Sequence, residues 1–373
     1  MNKTKLHKKV IVSVTDDLVT DQRVNRISQS LHNAGYNVLV TGRKFKNSKK
    51  LERPYAIKRF RLIFNKKAVF YAEYNIRLFF FLLFSKFDIL LSNDTDTLLA
   101  NYLVSKIRRK PLVFDAHEMF PEVPELVGRQ KVKNTWTYIE YKIFPHLKYS
   151  YTVCQSIADI YNKKYGINMQ VIRNVPFTHN TSDAITIDEK ENRHILLYQG
   201  AVNIGRGIEW IIDAMEYIDN AVFYIAGTGD IFCQMQKYVE QKQLQDKVIF
   251  LGRIPLETLS SITQNADLGM SLLENRGLNY YYSAPNRIAD FIHAEVPVIA
   301  TDFPEISKIV KQYSVGELVT DNSPQNLAKV INNALIKWEN INKEEKHQIF
   351  AKAKADLCWE NEEIKLLSIF NSI

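Results

Sequence analysis

Apolar residues fall along this chain in short continuous runs, and between the runs they recur at helical spacing. Residues 9–14, built around Val10-Ile11-Val12, and residues 38–41, 88–92 and 111–115 each predict a buried strand. Residues 21–34 place Val24, Ile27 and Leu31 on one helical face and stop at Gly35. A second helix is predicted over 69–84, and residues 101–107 end a third. Further strands are expected at 151–154 and 170–172. Strand alternating with helix predicts an α/β fold, a parallel sheet with helices on both faces.

Residues 178–192 break the pattern. They are rich in Thr, Asn, Ser, Asp and Glu, carry no apolar stripe and read as a linker. The alternation then restarts, with strands expected at 195–198, 222–226, 248–251, 268–272 and 298–300. Two halves of one pattern predict two Rossmann-like domains, 1–177 and 193–355, followed by a helical segment, 356–373. Open α/β sheets bind ligands beyond the carboxyl ends of their strands, so the site is expected there, in a cleft where the two domains face each other.

A chain of 373 residues, 46% hydrophobic and 24% charged, has room for two packed cores. Cys154, Cys233 and Cys358 are far apart and odd in number. That suits neither a disulfide framework nor a zinc site and predicts a reducing compartment, the cytoplasm. No apolar run approaches the roughly 18 residues that span a membrane, and the run at 10–12 meets Asp16-Asp17 too soon for a signal peptide.

Charge changes the picture more. Residues 1–180 hold 31 Lys and Arg against 14 Asp and Glu, net +17, whereas the remainder holds 18 against 27, net −9. A basic half predicts an anionic partner. The basic runs belong to no recognised nucleic-acid module, which leaves an anionic membrane face. Residues 77–84, apolar on most sides and near Arg43, Lys44 and Lys46 in sequence, admit two readings: a helix buried on the sheet, or one that docks the first domain on lipid.

The densest chemistry lies at 285–302. Pro285-Asn286 opens a helix whose first N–H groups are free, and Arg287 and Asp290 share a face three residues apart. A helix start beside an Arg suits phosphate, and Asp290 suits sugar hydroxyls. In Tyr198-Gln199-Gly200-Ala201-Val202-Asn203-Ile204-Gly205-Arg206-Gly207 a strand runs into a glycine loop with a cation at the next helix. Gly227-Thr228-Gly229 and Phe250-Leu251-Gly252-Arg253 follow two other strands.

These runs resemble the family 4 retaining glycosyltransferases of the GT-B fold, which carry a Pro-Asn-Lys-x-x-Glu helix before a Gly-x-Pro-Val-Ile-Ala strand. The resemblance spans nearly the whole chain, to Trp359-Glu360 and the helix after it, which looks like the family's C-terminal helix crossing back to the first domain. It implies a nucleotide sugar on the second domain, with Asp290 in the ribose-binding Glu slot and Arg287 in the Lys slot. Gly200, Gly205, Gly227, Gly229, Gly252, Arg253, Tyr282, Ser283 and Asn286 are implied on the donor side. Two positions depart. Tyr282 stands where the first acid of the family's pair is expected. In the family's Gly-Arg-x-x-x-x-Lys-Gly run, Arg206 fills the Lys slot but Ala201 fills the Arg slot. Arg287 or Arg253 is then expected to supply the second charge. Glu274 reads either as a replacement acid or as a solvated loop residue.

In the first half, Asp115-Ala116-His117-Glu118 closes a strand. The resemblance implies His117 at the reacting centre, with Asp115 orienting its ring and Glu118 beside it; the alternative is a structural His. Asp16 and Arg23, in the loop at 15–24, are expected to border the acceptor. Arg23 would bind its phosphate, unless the loop serves mainly to let Asp21 cap the helix.

The function so implied is transfer of a sugar from a UDP- or GDP-sugar to a polysaccharide or glycolipid acceptor, with retention of configuration. Arg206 and Arg287 would stabilise charge on the leaving diphosphate, and a donor phosphate oxygen would help take the acceptor proton. Neither a metal nor a cofactor beyond the nucleotide-sugar co-substrate is expected. The expected place is the cytoplasm, peripheral to the inner face of the plasma membrane. The alternatives are a sugar-nucleotide epimerase on the same fold and a nucleotide-binding scaffold without catalysis.

Overall fold

The computed structural model describes residues 8–178 and 193–373. Apart from Thr178, the linker expected at 178–192 lies outside the described residues. The chain forms two units, Met1–Asn174 with Glu362–Ile373, and Val175–Asn361.

The first unit begins with β1 (Lys9–Ser13), α1 (Gln22–Asn33), β2 (Asn37–Arg43), β3 (Ala56–Phe60), α2 (Lys67–Phe84) and β4 (Ile89–Asn93). It continues through α3 (Asp94–Arg108), β5 (Leu112–Ala116), α4 (Gln130–Ile143), β6 (Tyr149–Thr152), α5 (Gln155–Tyr165) and β7 (Gln170–Val171). The strands form one parallel sheet in the order β3-β2-β1-β4-β5-β6-β7. Val10, Ile11, Leu90, Leu91, Val113 and Phe114 are wholly buried, as continuous apolar runs covered on both faces should be.

The second unit runs β8 (His194–Gln199), α6 (Ile208–Ala214), β9 (Ala221–Ala226), α7 (Phe232–Gln241), β10 (Val248–Gly252), α8 (Leu256–Gln264) and β11 (Leu268–Ser271). Then come α9 (Leu278–Tyr281), α10 (Asn286–His293), β12 (Val298–Thr301), α11 (Pro304–Tyr313), β13 (Gly316–Val319), α12 (Pro324–Glu339) and α13 (Lys343–Asp356). Its parallel sheet has the order β10-β9-β8-β11-β12-β13. α14 (Trp359–Asn371) closes the chain, and from Glu362 onward it packs with the first unit. There the buried Glu362 accepts from Arg173 N at 3.0 Å and Arg173 Nε at 2.7 Å, and Tyr36 Oη donates to the Phe370 carbonyl at 3.1 Å.

In each sheet the strand order turns back once, between β1 and β4 and between β8 and β11. The loops leaving those strands splay apart, which is where an open α/β sheet offers a ligand site. The loop after β1 therefore carries Thr15 and Asp16, and the loop after β8 carries Gly200 to Arg206.

The elements absent from the sequence reading are those with weak apolar patterns. β3 and β13 are edge strands, Ala-Ile-Lys-Arg-Phe and Gly-Glu-Leu-Val, with one partner each. α4 buries Glu140 beside Trp136 and Ile143, and the acid breaks its apolar stripe. β6 starts earlier than expected, at Tyr149, and Cys154 is the N-cap of α5 rather than the end of a strand.

Glu140 is wholly buried and is held by hydroxyls: Tyr165 Oη at 2.9 Å, Tyr161 Oη at 3.2 Å and Thr95 Oγ1 at 3.3 Å. Burial pushes its carboxyl up from 4.5 to about 7, although those hydroxyls favour the charged form. A folded pKa above the unfolded one gives stability that is full below the unfolded value and lost as pH rises through the folded value. Replacing Glu140 with Gln should remove that loss. Scanning calorimetry should show the variant gaining in Tm relative to wild type between about pH 4.5 and about pH 8. A difference independent of pH would contradict this assignment.

Candidate functional site

In the second unit the site starts from a close approach of two loops. A Cβ on Gly227 would fall 1.8 Å from the Gly200 carbonyl oxygen, and Gly227 has φ +156°. Only glycine fits there. A Cβ on Gly229 would meet the Val202 carbonyl oxygen and Asn203 Oδ1, each at 2.3 Å. Packing of loop on loop within the unit therefore requires both glycines, which the family resemblance implies on the donor side. The loop so held bends at Gly200, with φ +128°.

Arg287 lies in the first turn of α10 and is 7% exposed. Its guanidinium stacks over the Tyr198 ring, 4.2 Å from the centroid. Its Nη2 is 3.5 Å from where a Gly200 Cβ would stand, so the arginine reaches the glycine loop. Nη1 is buried without a hydrogen-bond partner. Arg206, from the same loop, lies over the Tyr280 ring at 4.7 Å, and its Nε is likewise buried and unpartnered. Burial pushes the Arg287 guanidinium below its ordinary pKa, and the neighbouring Arg206 charge acts in the same direction. Among the described residues neither arginine is paired with a carboxylate.

Asp290 is one turn further along α10. Gln199 Nε2 donates to its Oδ2 at 3.1 Å, and Thr263 Oγ1 donates to Gln199 Oε1 at 2.8 Å. Gln199 is 5% exposed, so α8, β8 and α10 are joined through one buried amide. A carboxylate accepts only, which fixes the amide with its NH2 toward Asp290 and its oxygen toward Thr263. Sequence reasoning missed Gln199 and Thr263. The available signal was a polar residue closing the apolar strand Ile-Leu-Leu-Tyr-Gln.

The remaining donor-side candidates scatter. Asn286 is exposed at the first position of α10, whose N-terminus has no side-chain cap. Arg253 is exposed after β10, and Gly252, with φ +66°, faces open space. Glu274 is ion-paired with Arg276, and its N–H donates to the Gly205 carbonyl at 2.9 Å. It is neither a free replacement acid nor simply solvated. Tyr282 is half-buried, edge-on to Tyr281, and Ser283 Oγ donates to the Tyr280 carbonyl at 2.9 Å.

In the first unit the carboxyl ends of β1, β4 and β5 bring together Asp16, Asp94, Asp96, Asp115 and His117. The His117 N–H donates to Asp94 Oδ1 at 2.7 Å, and its ring Nδ1 is 3.4 Å from Asp94 Oδ2. Nε2 is 3.1 Å from both Asp115 Oδ2 and Asn93 Oδ1. Asp94 holds this position with φ +54°, a backbone state uncommon for anything but glycine. Burial alone would lower the imidazole pKa, but the Asp94 and Asp115 carboxylates outweigh it and raise it to about 10. Asp115, whose carboxyl the Arg23 and His117 charges hold below the usual range, orients the ring at Nε2 and favours its charged form, while burial pushes the Asp94 carboxyl beside Nδ1 up to about 7.

Arg23 is also corrected. It is 3% exposed and donates to Asp115 through Nε at 3.0 Å and Nη2 at 2.7 Å, and to the Ile172 carbonyl through Nη1 at 2.9 Å. Arg23 is used inside the unit rather than on an acceptor phosphate, and Asp115, wholly buried, faces Arg23 and His117. Asp21 caps α1, accepting from Val24 N at 2.9 Å. Asp16 lies in the loop after β1, and Asp96 is buried in the first turn of α3. Burial raises each carboxyl to about 7, and Thr15 Oγ1 donates to Asp96 at 2.5 Å. Glu118 is half-buried and adds to the upward push on Asp96. Among the described residues no group of three or more His, Cys, Asp or Glu side chains is placed to hold a metal ion.

An NMR titration of the His117 ring should show no midpoint between about pH 5.5 and about pH 8.5, because the clamped imidazolium keeps its proton. Asp115→Asn should bring the midpoint down toward neutrality. A wild-type midpoint near the unperturbed value would contradict the clamp.

The model for "Glycosyl transferases group 1" matches residues 181–355, and that for "Glycosyltransferase Family 4" matches residues 21–176. An uncharacterized glycosyltransferase of Methanocaldococcus jannaschii is 26% identical over 158 residues, which is 41% of this chain and 38% of that relative. Among solved structures, sucrose-phosphate synthase from Thermosynechococcus elongatus superposes with a TM-score of 0.78 at 15% identity, over 98% of each chain. Anabaena HepE, solved in complex with UDP and glucose, superposes with a TM-score of 0.75 at 14% identity, over 98% of this chain and all (100%) of that one. At such identities the likeness is one of fold. The two family models between them cover most of the chain, and the parallel sheets agree with the GT-B neighbours: the chain belongs to the family 4, group 1 glycosyltransferases and has their two-domain α/β GT-B fold.

Proposed function

We propose that this protein is a retaining hexosyltransferase that takes its sugar from a nucleotide-sugar donor, a UDP-sugar before a GDP-sugar, and transfers it to a polysaccharide or lipid-linked glycan. The observation that carries the reading is the pair Arg206 and Arg287. Two cations share one glycine loop, each has a buried N–H without a partner, and one sits at an uncapped helix N-terminus. A diphosphate would satisfy both, and its charge would be stabilised as it leaves. Arg287 thereby takes the part of the cation missing at Ala201.

Asp290, held by Gln199, has the chemistry to accept two ribose hydroxyl bonds. That HepE was solved with UDP and glucose is the reason for placing uridine first. In the first unit, Asp16 and Asp96 are suited to hydroxyls of a glycan acceptor, because carboxyls titrating near 7 can donate or accept. His117, its charge balanced by Asp94 and Asp115, would shape the acceptor side, and the acceptor proton would pass to a donor phosphate oxygen. Cys154, Cys233 and Cys358, none of them in a disulfide, favour the cytoplasm as the place of action.

The test is a thermal-shift screen with UDP, GDP and ADP, followed by slow donor hydrolysis with the matching nucleotide sugar. A nucleotide that stabilises the protein and free sugar released with retained configuration are the expected results. Binding without turnover would favour a scaffold. Arg206→Ala should lower kcat/KM at least about tenfold, since a charge-assisted bond contributes about 1.5–3 kcal/mol. Unchanged kinetics in that variant would overturn the diphosphate assignment.

A further inference from the structure

Two helices of the first unit carry matching apolar stripes on their outer faces. In α2, Phe70, Tyr74, Leu78 and Leu82 are buried at every fourth position, so one side of the helix packs inward as a core helix should. Ile76, Phe80 and Phe84 are nevertheless 58%, 53% and 81% exposed. In α3, Leu99, Leu103 and Ile107 are 41%, 43% and 58% exposed. Spacing by four sets each trio along one face.

The two helices run side by side in the same direction. Asn75 Nδ2 donates to the Asp96 carbonyl at 2.7 Å, and its Oδ1 accepts from Ala100 N at 3.4 Å. Near the other end, Arg108 Nη1 donates to the Leu83 carbonyl at 2.6 Å. This register sets Ile76 level with Leu99, Phe80 with Leu103 and Phe84 with Ile107. Six exposed apolar side chains at matched levels are more than scattered surface residues, and such a patch marks an interaction site.

Charge decides the partner. Lys86, Lys106, Arg108 and Arg109 are exposed around the C-terminal ends of the two helices. The acids of this region are engaged: Glu73 with Arg77 at 2.8 Å, Asp88 with Lys110 at 3.1 Å, and Asp94 and Asp96 with His117 and Thr15. A second copy would bring two cationic rims together. An anionic bilayer offers an apolar layer for the stripes and phosphates for the rim. Among the described residues no helix is long and apolar enough to cross a membrane, so the helices would lie along the surface.

We propose that the α2–α3 face docks this protein on an anionic lipid bilayer, with Ile76, Phe80, Phe84, Leu99, Leu103 and Ile107 entering the interface and the Lys and Arg rim against the headgroups. This goes beyond the donor-site reading and does not rest on it.

The test is sedimentation of the full chain with phosphatidylcholine vesicles, with and without phosphatidylglycerol, at low and high salt. Wild type should bind only the anionic vesicles, and salt should release it. Phe80→Ser with Leu103→Ser, and separately Lys106→Glu with Arg109→Glu, should each weaken binding at least about tenfold. A thermal midpoint like that of wild type shows that these variants fold. The milder Phe84→Trp variant should shift its fluorescence to the blue on anionic vesicles. The proposal is overturned if wild type ignores anionic vesicles at low salt, if the stripe variant binds as wild type does, or if the Phe84→Trp emission does not move. It is also overturned if the stripe variant instead abolishes a dimer of wild type that has no affinity for vesicles. Loss of nucleotide binding with vesicle binding intact would count against the donor site alone.

Discussion

Arg287 is a cation enclosed in the second unit with no carboxylate paired to it among the described residues, and much of that unit's sequence follows from keeping it there. Burying a charge without a partner costs several kcal/mol per ion even after relaxation. The Tyr198 ring meets part of that cost by stacking on the guanidinium. Gly200 takes the φ of +128° that bends the loop beside the guanidinium, and Gly227 lets the next loop close on Gly200. Arg206 adds a second charge that makes the arrangement less favourable without an anion and more favourable with one.

The first unit treats its buried arginine in the opposite way. Arg23 is matched by Asp115, Asp115 by His117, and His117 by Asp94, so each charge meets one of opposite sign. Breaking such a chain at one member typically costs about 3–5 kcal/mol, because the partner is left charged and buried. Both clusters stand at the carboxyl ends of strands beside a reversal of strand order. One is neutralised within the fold and the other has no carboxylate partner among the described residues, which is the support for proposing the diphosphate on the second unit.

The fold was legible because the central strands are continuous apolar runs and the helices between them keep their period. What escaped was polar or split in pattern: the edge strands β3 and β13, and α4, in which Glu140 interrupts the stripe. The site was legible where a residue type has one common use, as with Arg206 and Arg287 near glycines. It was less so where use depends on depth. Arg23 reads as a phosphate ligand until it is found buried on Asp115, and Gly229 reads as a ligand contact until Val202 and Asn203 are found against it. Gln199 carried almost no signal, because its importance comes from Thr263 and Asp290, 64 and 91 residues away. For residues 77–84 the sequence left a core helix and a lipid-facing one both open, and it gave no sign of the α3 stripe, because an apolar residue looks the same in sequence whether it faces the core or the outside.

The central claim is that two arginines on one glycine loop, each with a buried N–H that lacks a partner, are the seat of a diphosphate. Calorimetric titration with UDP, UMP and uridine, for wild type and for Arg287→Met, tests it most directly. Wild type should bind UDP at least about tenfold more tightly than UMP, and the substitution should largely remove that preference while leaving uridine unaffected. Equal affinities for UDP and UMP in wild type, or a preference for UDP that survives the loss of Arg287, would contradict it.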